Sequence, residues 1–234
     1  RRVHLKELAD AEQLRIEVYK QKAAFEVSKT TGAFETPEVL FEGRHSFGSE
    51  YVPGLVPLSS ILEGRNAQRA ERAIFASGVA LGHLHSVDWL PLSPHARILD
   101  VPGKEVVGIH GDFTIENVCF AGQSLTPTII DWSAAYWVDR YATHGNPAWD
   151  IGLFCLTLAY RFGKGRTISI KTVQALEIFL EGYSTRRPLP GDVVECASMA
   201  GRQMRRTFAG DTSFRILKLW RLRWTVRILG RLLK

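Results

Sequence analysis

Cysteine is scarce in this sequence: Cys119, Cys155 and Cys196 are the only three. An odd number at wide spacings excludes a disulfide framework and offers no Cys-x-x-Cys metal site. Each is read as a small apolar residue. No uninterrupted apolar run reaches membrane-spanning length, and the start lacks the basic, apolar and cleavage regions of a signal peptide. The protein is therefore expected in the cytoplasm. There is no internal repeat and no Gly/Ser linker. The chain opens at Arg1-Arg2-Val3 without Met, as a fragment of a longer chain would. Acid is nearly missing from the last third. Residues 151–234 hold 5 Asp+Glu against 16 Lys+Arg, a net of +11, whereas residues 1–150 hold 19 against 14, a net of −5. The overall +6 describes neither half. A basic region of this kind disfavours polycationic ligands and favours phosphates, acidic lipid, acidic glycan or nucleic acid.

What is present is globular. Hydrophobic residues make up 45% and charged residues 23% of 234, which excludes a disordered or low-complexity chain. The length fits one large domain or two small lobes and buries a core without staples. Val3–Lys6 reads as the end of a strand. Residues 10–29 read as a helix capped by Asp10 and ended by Gly32, with Leu14, Val18 and Phe25 at a 3.6 period. Residues 39–41 and 47–52 are strand-like, and Pro53-Gly54 is a break. A long helix is expected over 66–86, with Ala70, Ile74, Ser77, Leu81, Leu84 and His85 on one face. Short strands are expected at 106–110 and 128–132, and helices at 148–162, 168–184, 190–208 and 214–229.

One stretch carries chemistry: His110-Gly111-Asp112-Phe113-Thr114-Ile115-Glu116-Asn117, followed by Ile129-Ile130-Asp131-Trp132. An Asp follows a strand, an Asn lies five residues on, and a second Asp ends another apolar strand. Brought together, Asp112, Asn117 and Asp131 form a set of hard oxygen ligands. Such a set suits Mg²⁺ held by one or two carboxylates plus nucleotide phosphates. One carboxylate stays free to accept a hydroxyl proton, the division of labour that phosphoryl transfer to an alcohol needs.

These motifs resemble the aminoglycoside phosphotransferase / choline kinase family of the protein-kinase-like superfamily. Protein kinases use H-R-D-x-x-x-x-N and then D-F-G. The small-molecule branch uses H-G-D-x-x-x-x-N and then a hydrophobic run ending in Asp-Trp or Asp-Phe, as here. The gap of 19 positions between the two Asp suits a β-hairpin. Gly145-Asn146-Pro147-Ala148-Trp149-Asp150-Ile151 resembles the family's G-D-P-x-x-D-L segment, and Glu50-Tyr51-Val52-Pro53-Gly54 its hinge. The helix ending Leu81-Gly82-His83-Leu84-His85 resembles the one before the catalytic loop. The resemblance covers residues 3–160 and is specific in 110–151.

The resemblance implies an α+β, protein-kinase-like two-lobed fold. Residues 1–52 would form a short, partial N-lobe with the hinge, and residues 53–234 a mostly helical C-lobe with the catalytic and metal-binding loops. It implies ATP and Mg²⁺ as cofactors, Asp112 as the catalytic base, and Asn117 and Asp131 as metal ligands. Lys6 would be the phosphate-binding lysine with Glu17 as its ion-pair partner. The backbone at Glu50 and Val52 would contact adenine. His110 and Asp150 would support the site, Asp150 as a helix N-cap hydrogen-bonded back to the catalytic loop. His83 and His85 are read as core or helix-surface residues. No glycine-rich loop precedes Lys6 because the sequence begins there, so either that segment lies upstream or the protein lacks it, and Ser133 stands where D-F-G has Gly. Only 18 residues separate Asp131 from Asp150, too few for a long activation loop, which argues against a regulated protein kinase.

The activity expected is transfer of a phosphoryl group from Mg-ATP to a small-molecule hydroxyl. From charge, an anionic sugar or lipid-linked glycan fits better than a cationic aminoglycoside. Phe214–Lys234 reads as a basic amphipathic helix, with bases at mostly three- or four-residue steps and Ile216, Leu219, Trp220, Trp224, Ile228 and Leu232 between them. It either packs on the lobe with a solvated basic face or docks on an anionic membrane surface. A non-catalytic pseudokinase or membrane-associated scaffold is the rival reading. Nucleic-acid binding ranks last, since no known module is present.

Overall fold

The computed structural model describes residues 2–92, 96–162, 170–207 and 217–234. Strand β1 (Val3–Glu7) leads into helix α1 (Ala11–Thr31). The Asp10 carboxylate accepts the amides of Glu12 and Gln13 at 3.0 and 3.1 Å, satisfying two donors that the first helical turn cannot pair. Gly32, left-handed at φ 61, ends the helix. Strands β2 (Val39–Glu42) and β3 (Ser46–Glu50) complete an antiparallel sheet in the order β1-β3-β2. Strand β3 stops at Glu50, two residues earlier than expected, as the chain turns into Pro53-Gly54, where Gly54 has φ 69.

Some short elements were not expected, among them β4 (Leu55–Pro57) and α2 (Leu58–Glu63). Three and six residues are too short to show a period. The long helix α3 (Ala67–Ser86) follows, with Ile74, Ser77, Leu81, Leu84 and His85 buried as the spacing predicts. Strand β4 then pairs with β6 (Val118–Ala121), and β6 with β7 (Pro127–Ile129), in a second antiparallel sheet. Strand β7 is shorter than expected because Asp131 turns to φ 58 and leaves the strand conformation. A two-residue pair, β5 (Val107–Gly108) with β8 (His144–Gly145), brings the chain before His110 beside the chain before Asp150.

The rest is helical: α4 (Ala148–Phe162), α5 (Ile170–Ser184), α6 (Val193–Thr207) and α7 (Leu217–Leu232). The expected starts of α5 at 168 and α7 at 214, and the end of α6 at 208, lie outside the described residues. Among the described residues no helix is long and apolar enough to cross a membrane. Helix α7 packs against α4 and α6, burying Leu222, Thr225 and Leu229 and leaving Arg223, Arg227 and Arg231 outside. The inner face is thus the 222/225/229 stripe. Trp224, Ile228 and Leu232 are only half-buried, one position or so round the helix.

Helices α3 and α5 pack backbone to backbone. A Cβ on Gly82 would stand 2.7 Å from the Tyr183 carbonyl, and one on Gly182 would fall onto the carbonyl of Phe75. A main-chain carbonyl inside a helix cannot step aside, so the approach requires glycine. Gly182→Ala gains up to about 1 kcal/mol of helix propensity, but forcing a methyl into a packed interface costs about 1–3 kcal/mol. With a backbone atom as the obstacle, the clash is expected to win. Urea denaturation should show a net loss for Gly182→Ala and a change within about 0.5 kcal/mol for Gly191→Ala, where a Cβ meets nothing within 4 Å. Equal stabilities would contradict the close crossing.

Candidate active site

The site grows from one buried carboxylate. Asp150 lies in the first turn of α4 and is wholly buried. Its Oδ2 accepts the His110 amide at 2.8 Å and meets His85 Nε2 at 3.2 Å, while its Oδ1 accepts the Gly111 amide at 2.8 Å. Burial alone would raise its pKa, but His85 and these amides hold it below the usual carboxylate value. Asp150 does not cap its helix, contrary to the sequence expectation. The cap is Asn146, whose Oδ1 accepts the Ala148 amide at 2.9 Å. Both Asp150 oxygens point back to residues 110–111 rather than to the amides of its own first turn.

The loop this carboxylate holds is sharply bent. Gly111 has φ 83, and a Cβ there would lie 2.7 Å from that of Ala134. Glycine is needed twice over, for the left-handed turn and for the approach. His110 is buried, its Nδ1 accepting the Asp112 amide at 3.2 Å, which leaves Nε2–H to donate to Ile130 O at 3.1 Å. Burial, helped by the charge of Lys20, pushes its pKa down to about 4, so the ring is neutral. Its face meets Trp132 at 4.7 Å between centroids, and Trp132 Nε1 donates to Thr36 Oγ1 at 2.8 Å.

The hairpin β6–β7 brings the other two oxygen ligands into reach. Asn117 precedes β6, Asp131 follows β7, and the Ile130 amide donates to Asn117 O at 3.0 Å, closing the register. Asn117 Nδ2 donates to Asp112 O at 2.9 Å and to Asp112 Oδ2 at 3.1 Å, which turns its Oδ1 away from Asp112. Asp131 is the one described non-glycine residue with positive φ, the kind of strain that collects at functional sites. Lys6 reaches across from β1, its Nζ 2.6 Å from Glu17 Oε1 and 2.7 Å from Asp131 Oδ1. Burial lowers its pKa, but Glu17 and Asp131 outweigh that and hold it above the ordinary value. The other Glu17 oxygen accepts Ser133 Oγ at 2.6 Å.

The hinge residues stand apart from this cluster. The Glu50 amide donates to Glu38 O at 2.8 Å and the Tyr51 amide to Arg2 O at 3.1 Å. Any contact of Glu50 with a base therefore falls to its carbonyl. Among the described residues no three His, Cys, Asp or Glu side chains gather as a closed metal cage. The donors are instead the Asp131 carboxylate and the Asn117 amide oxygen, which fit a Mg²⁺ ion that completes its shell with phosphates and water.

Sequence reasoning missed Lys20, Ser133 and the part played by His85. Lys20 is fully buried and donates to His110 O at 2.6 Å. The signal for it was present: Glu17, Lys20 and Gln21 interrupt the inward stripe of Leu14, Val18 and Ala24.

Asp112 carries the site's electrostatic strain. Burial, then the nearby Asp131, raise its pKa from 3.8 to about 7, although Asn117 and Lys20 pull it down. Between those two pH values the folded chain keeps a proton that the unfolded chain has shed. Stability from this group is therefore lost as pH rises through that window. Asp112→Asn mimics the protonated acid. In EDTA, its Tm advantage over wild type should widen from about pH 4 to about pH 7 and then stay level. An advantage that stays constant or shrinks would contradict the buried, acid-crowded setting.

No protein-family model matches the sequence, and a search of curated proteins finds no match. Solved structures do match. Glucosamine kinase superposes with a TM-score of 0.65 at 12% identity, over 99% of this chain and 74% of that one. A choline/ethanolamine kinase family protein from Mesorhizobium loti gives 0.59 at 17% identity, over 99% and 85%. An aminoglycoside phosphotransferase from Streptomyces rimosus, solved with ADP and streptomycin, gives 0.55 at 16% identity, over 95% and 86%. The chain thus has the protein-kinase-like fold in the form taken by aminoglycoside phosphotransferases, choline/ethanolamine kinases and glucosamine kinase.

Proposed function

We propose that the protein is an ATP-dependent phosphotransferase that moves the γ-phosphoryl group of Mg-ATP to a hydroxyl of a small molecule. The observation that carries this reading is the meeting of four distant segments at one point. Lys6 bridges Glu17 and Asp131, and the hairpin that delivers Asp131 also delivers Asn117 to Asp112. In this reading Asp112 orients the acceptor hydroxyl and takes its proton as the oxygen–phosphorus bond forms and the bond to ADP breaks. A pKa near 7 suits a base that must both hold and release a proton near neutral pH. Lys6, steadied by Glu17, contacts the α/β-phosphates, and the Val52 amide and Glu50 carbonyl contact adenine. Asn117 and Asp131 would hold Mg²⁺, which supplies charge neutralisation at the phosphates. His110 and Asp150 keep the loop in shape.

The acceptor class is read from charge. The region 151–234, with 16 basic and 5 acidic residues, is a poor host for a polycation. In it Arg202, Arg205, Arg223 and Arg227 line one groove of about 390 Å³ between α6 and α7. An anionic sugar or lipid-linked glycan fits that sign better than a cationic aminoglycoside.

A transfer screen with γ-labelled ATP across sugars, amino alcohols, aminoglycosides and lipid-linked glycans tests the reading. Asp112→Asn should lower kcat by about 10²–10⁴-fold on the accepted substrate, while Mg-ATP still shifts Tm. Wild-type turnover by that variant would refute the role of Asp112. Cationic aminoglycosides outperforming anionic sugars would refute the acceptor class.

A further inference from the structure

Lys20 stands outside the reaction just described, yet among the described residues it is an unusual charge. Its side chain is fully buried. A lysine is almost never taken fully out of water unless it is paired, because its desolvation costs several kcal/mol. The two hydrogen bonds it makes go to main-chain carbonyls, His110 O at 2.6 Å and Ala142 O at 3.4 Å. The negative charge that steadies it comes from a ring of acids: Asp150, Glu17, Asp112 and Asp131. Burial draws its pKa down to about 8 against their pull, so at neutral pH it remains mostly ammonium.

The placement matters more than the charge. Three of the four polar groups of the His110–Gly111 backbone are held by α4 and the segment before it. Asp150 takes both amides, and Gly111 O accepts Trp149 Nε1 at 3.1 Å and the Ala135 amide at 3.3 Å. The fourth, the His110 carbonyl, is held from α1 by Lys20. Glu17 is three residues earlier on the same helix, about 4.5 Å along its axis, and on that face it grips Lys6 and Ser133. One helical face thus holds the lysine proposed for the nucleotide and the loop that carries Asp112.

We infer that Lys20 is a positioning residue: it fixes the catalytic loop to helix α1, so that Asp112 keeps its register with the Lys6–Glu17 pair. This rests on the phosphotransfer reading above for its effect on turnover, but not for its effect on the loop. Displacing a reacting group by about 1 Å can cost about 10²-fold in rate.

The test compares Lys20→Met, which keeps the unbranched stem and removes donor and charge, with Lys20→Arg, which keeps both. Lys20→Met should lower kcat at least tenfold with KM for ATP within threefold of wild type, since Lys6 and Glu17 are intact. Lys20→Arg should recover part of kcat. Native-state hydrogen exchange should speed up at residues 110–117 in Lys20→Met and stay at the wild-type rate in α6. That readout needs no turnover, so it stands even if wild type transfers no phosphoryl group, which would sink the function reading alone. Wild-type kcat and loop exchange in Lys20→Met would overturn the inference. So would exchange rising throughout the chain with kcat and KM worsening together, or failure of both variants to fold, either of which makes Lys20 a residue of stability.

Discussion

The Asp150 carboxylate, buried and accepting the amides of His110 and Gly111, is the contact on which the rest of the site depends. A turn containing a left-handed glycine has little intrinsic preference for one shape. Asp150 gives it one by meeting two adjacent donors with two oxygens. His85 on α3 and Tyr183 on α5 complete the chain, with Tyr183 OH 3.2 Å from His85 Nδ1. The two helices whose backbones touch through glycine therefore also supply the group that steadies Asp150. Packing and chemistry meet in the same place.

Around this anchor the charges are arranged in opposition. Asp112 and Asp131 repel each other's ionised forms, and burial adds to the cost for Asp112. Lys6 on one side and Lys20 on the other answer that excess of acid, one half-open to solvent and the other sealed. His110 is neutral between them and serves as a brace, its ring linking Ile130 O to the Asp112 amide. The free site is thus short of positive charge near Asp112, Asn117 and Asp131, the condition in which a divalent cation bound with a nucleotide is most favoured. In the C-terminal helices the balance reverses, with arginines on α6 and α7 around one groove.

Much of this was legible in the sequence for physical reasons. His110-Gly111-Asp112 with Asn117 is a local motif, so spacing alone places those residues on one loop. Asp10 and Gly32 bound α1 because capping is decided within a few residues. Lys6 and Glu17 could be named from the resemblance alone, since their pairing depends on the angle between a strand and a helix. Lys20 could not be named, because its reason for burial is the His110 carbonyl, 90 positions away in sequence. Asp150 was placed correctly at the start of its helix, but its role as cap was wrong, because only the fold shows that its oxygens are already committed. The inner face of α7 could not be read from the sequence, since bases and apolar residues alternate there too evenly to mark one stripe.

The central claim is that Asp112, Asn117 and Asp131 divide one site into a base and a cation seat. A crystal structure with Mn²⁺ and a non-hydrolysable ATP analogue tests it most directly, since the anomalous signal locates the ion without assumption. The account predicts a peak bound by Asn117 Oδ1 and the Asp131 carboxylate, with Asp112 outside the coordination shell and open to an acceptor. A peak elsewhere, or one that takes Asp112 as a ligand and leaves Asn117 aside, would contradict it.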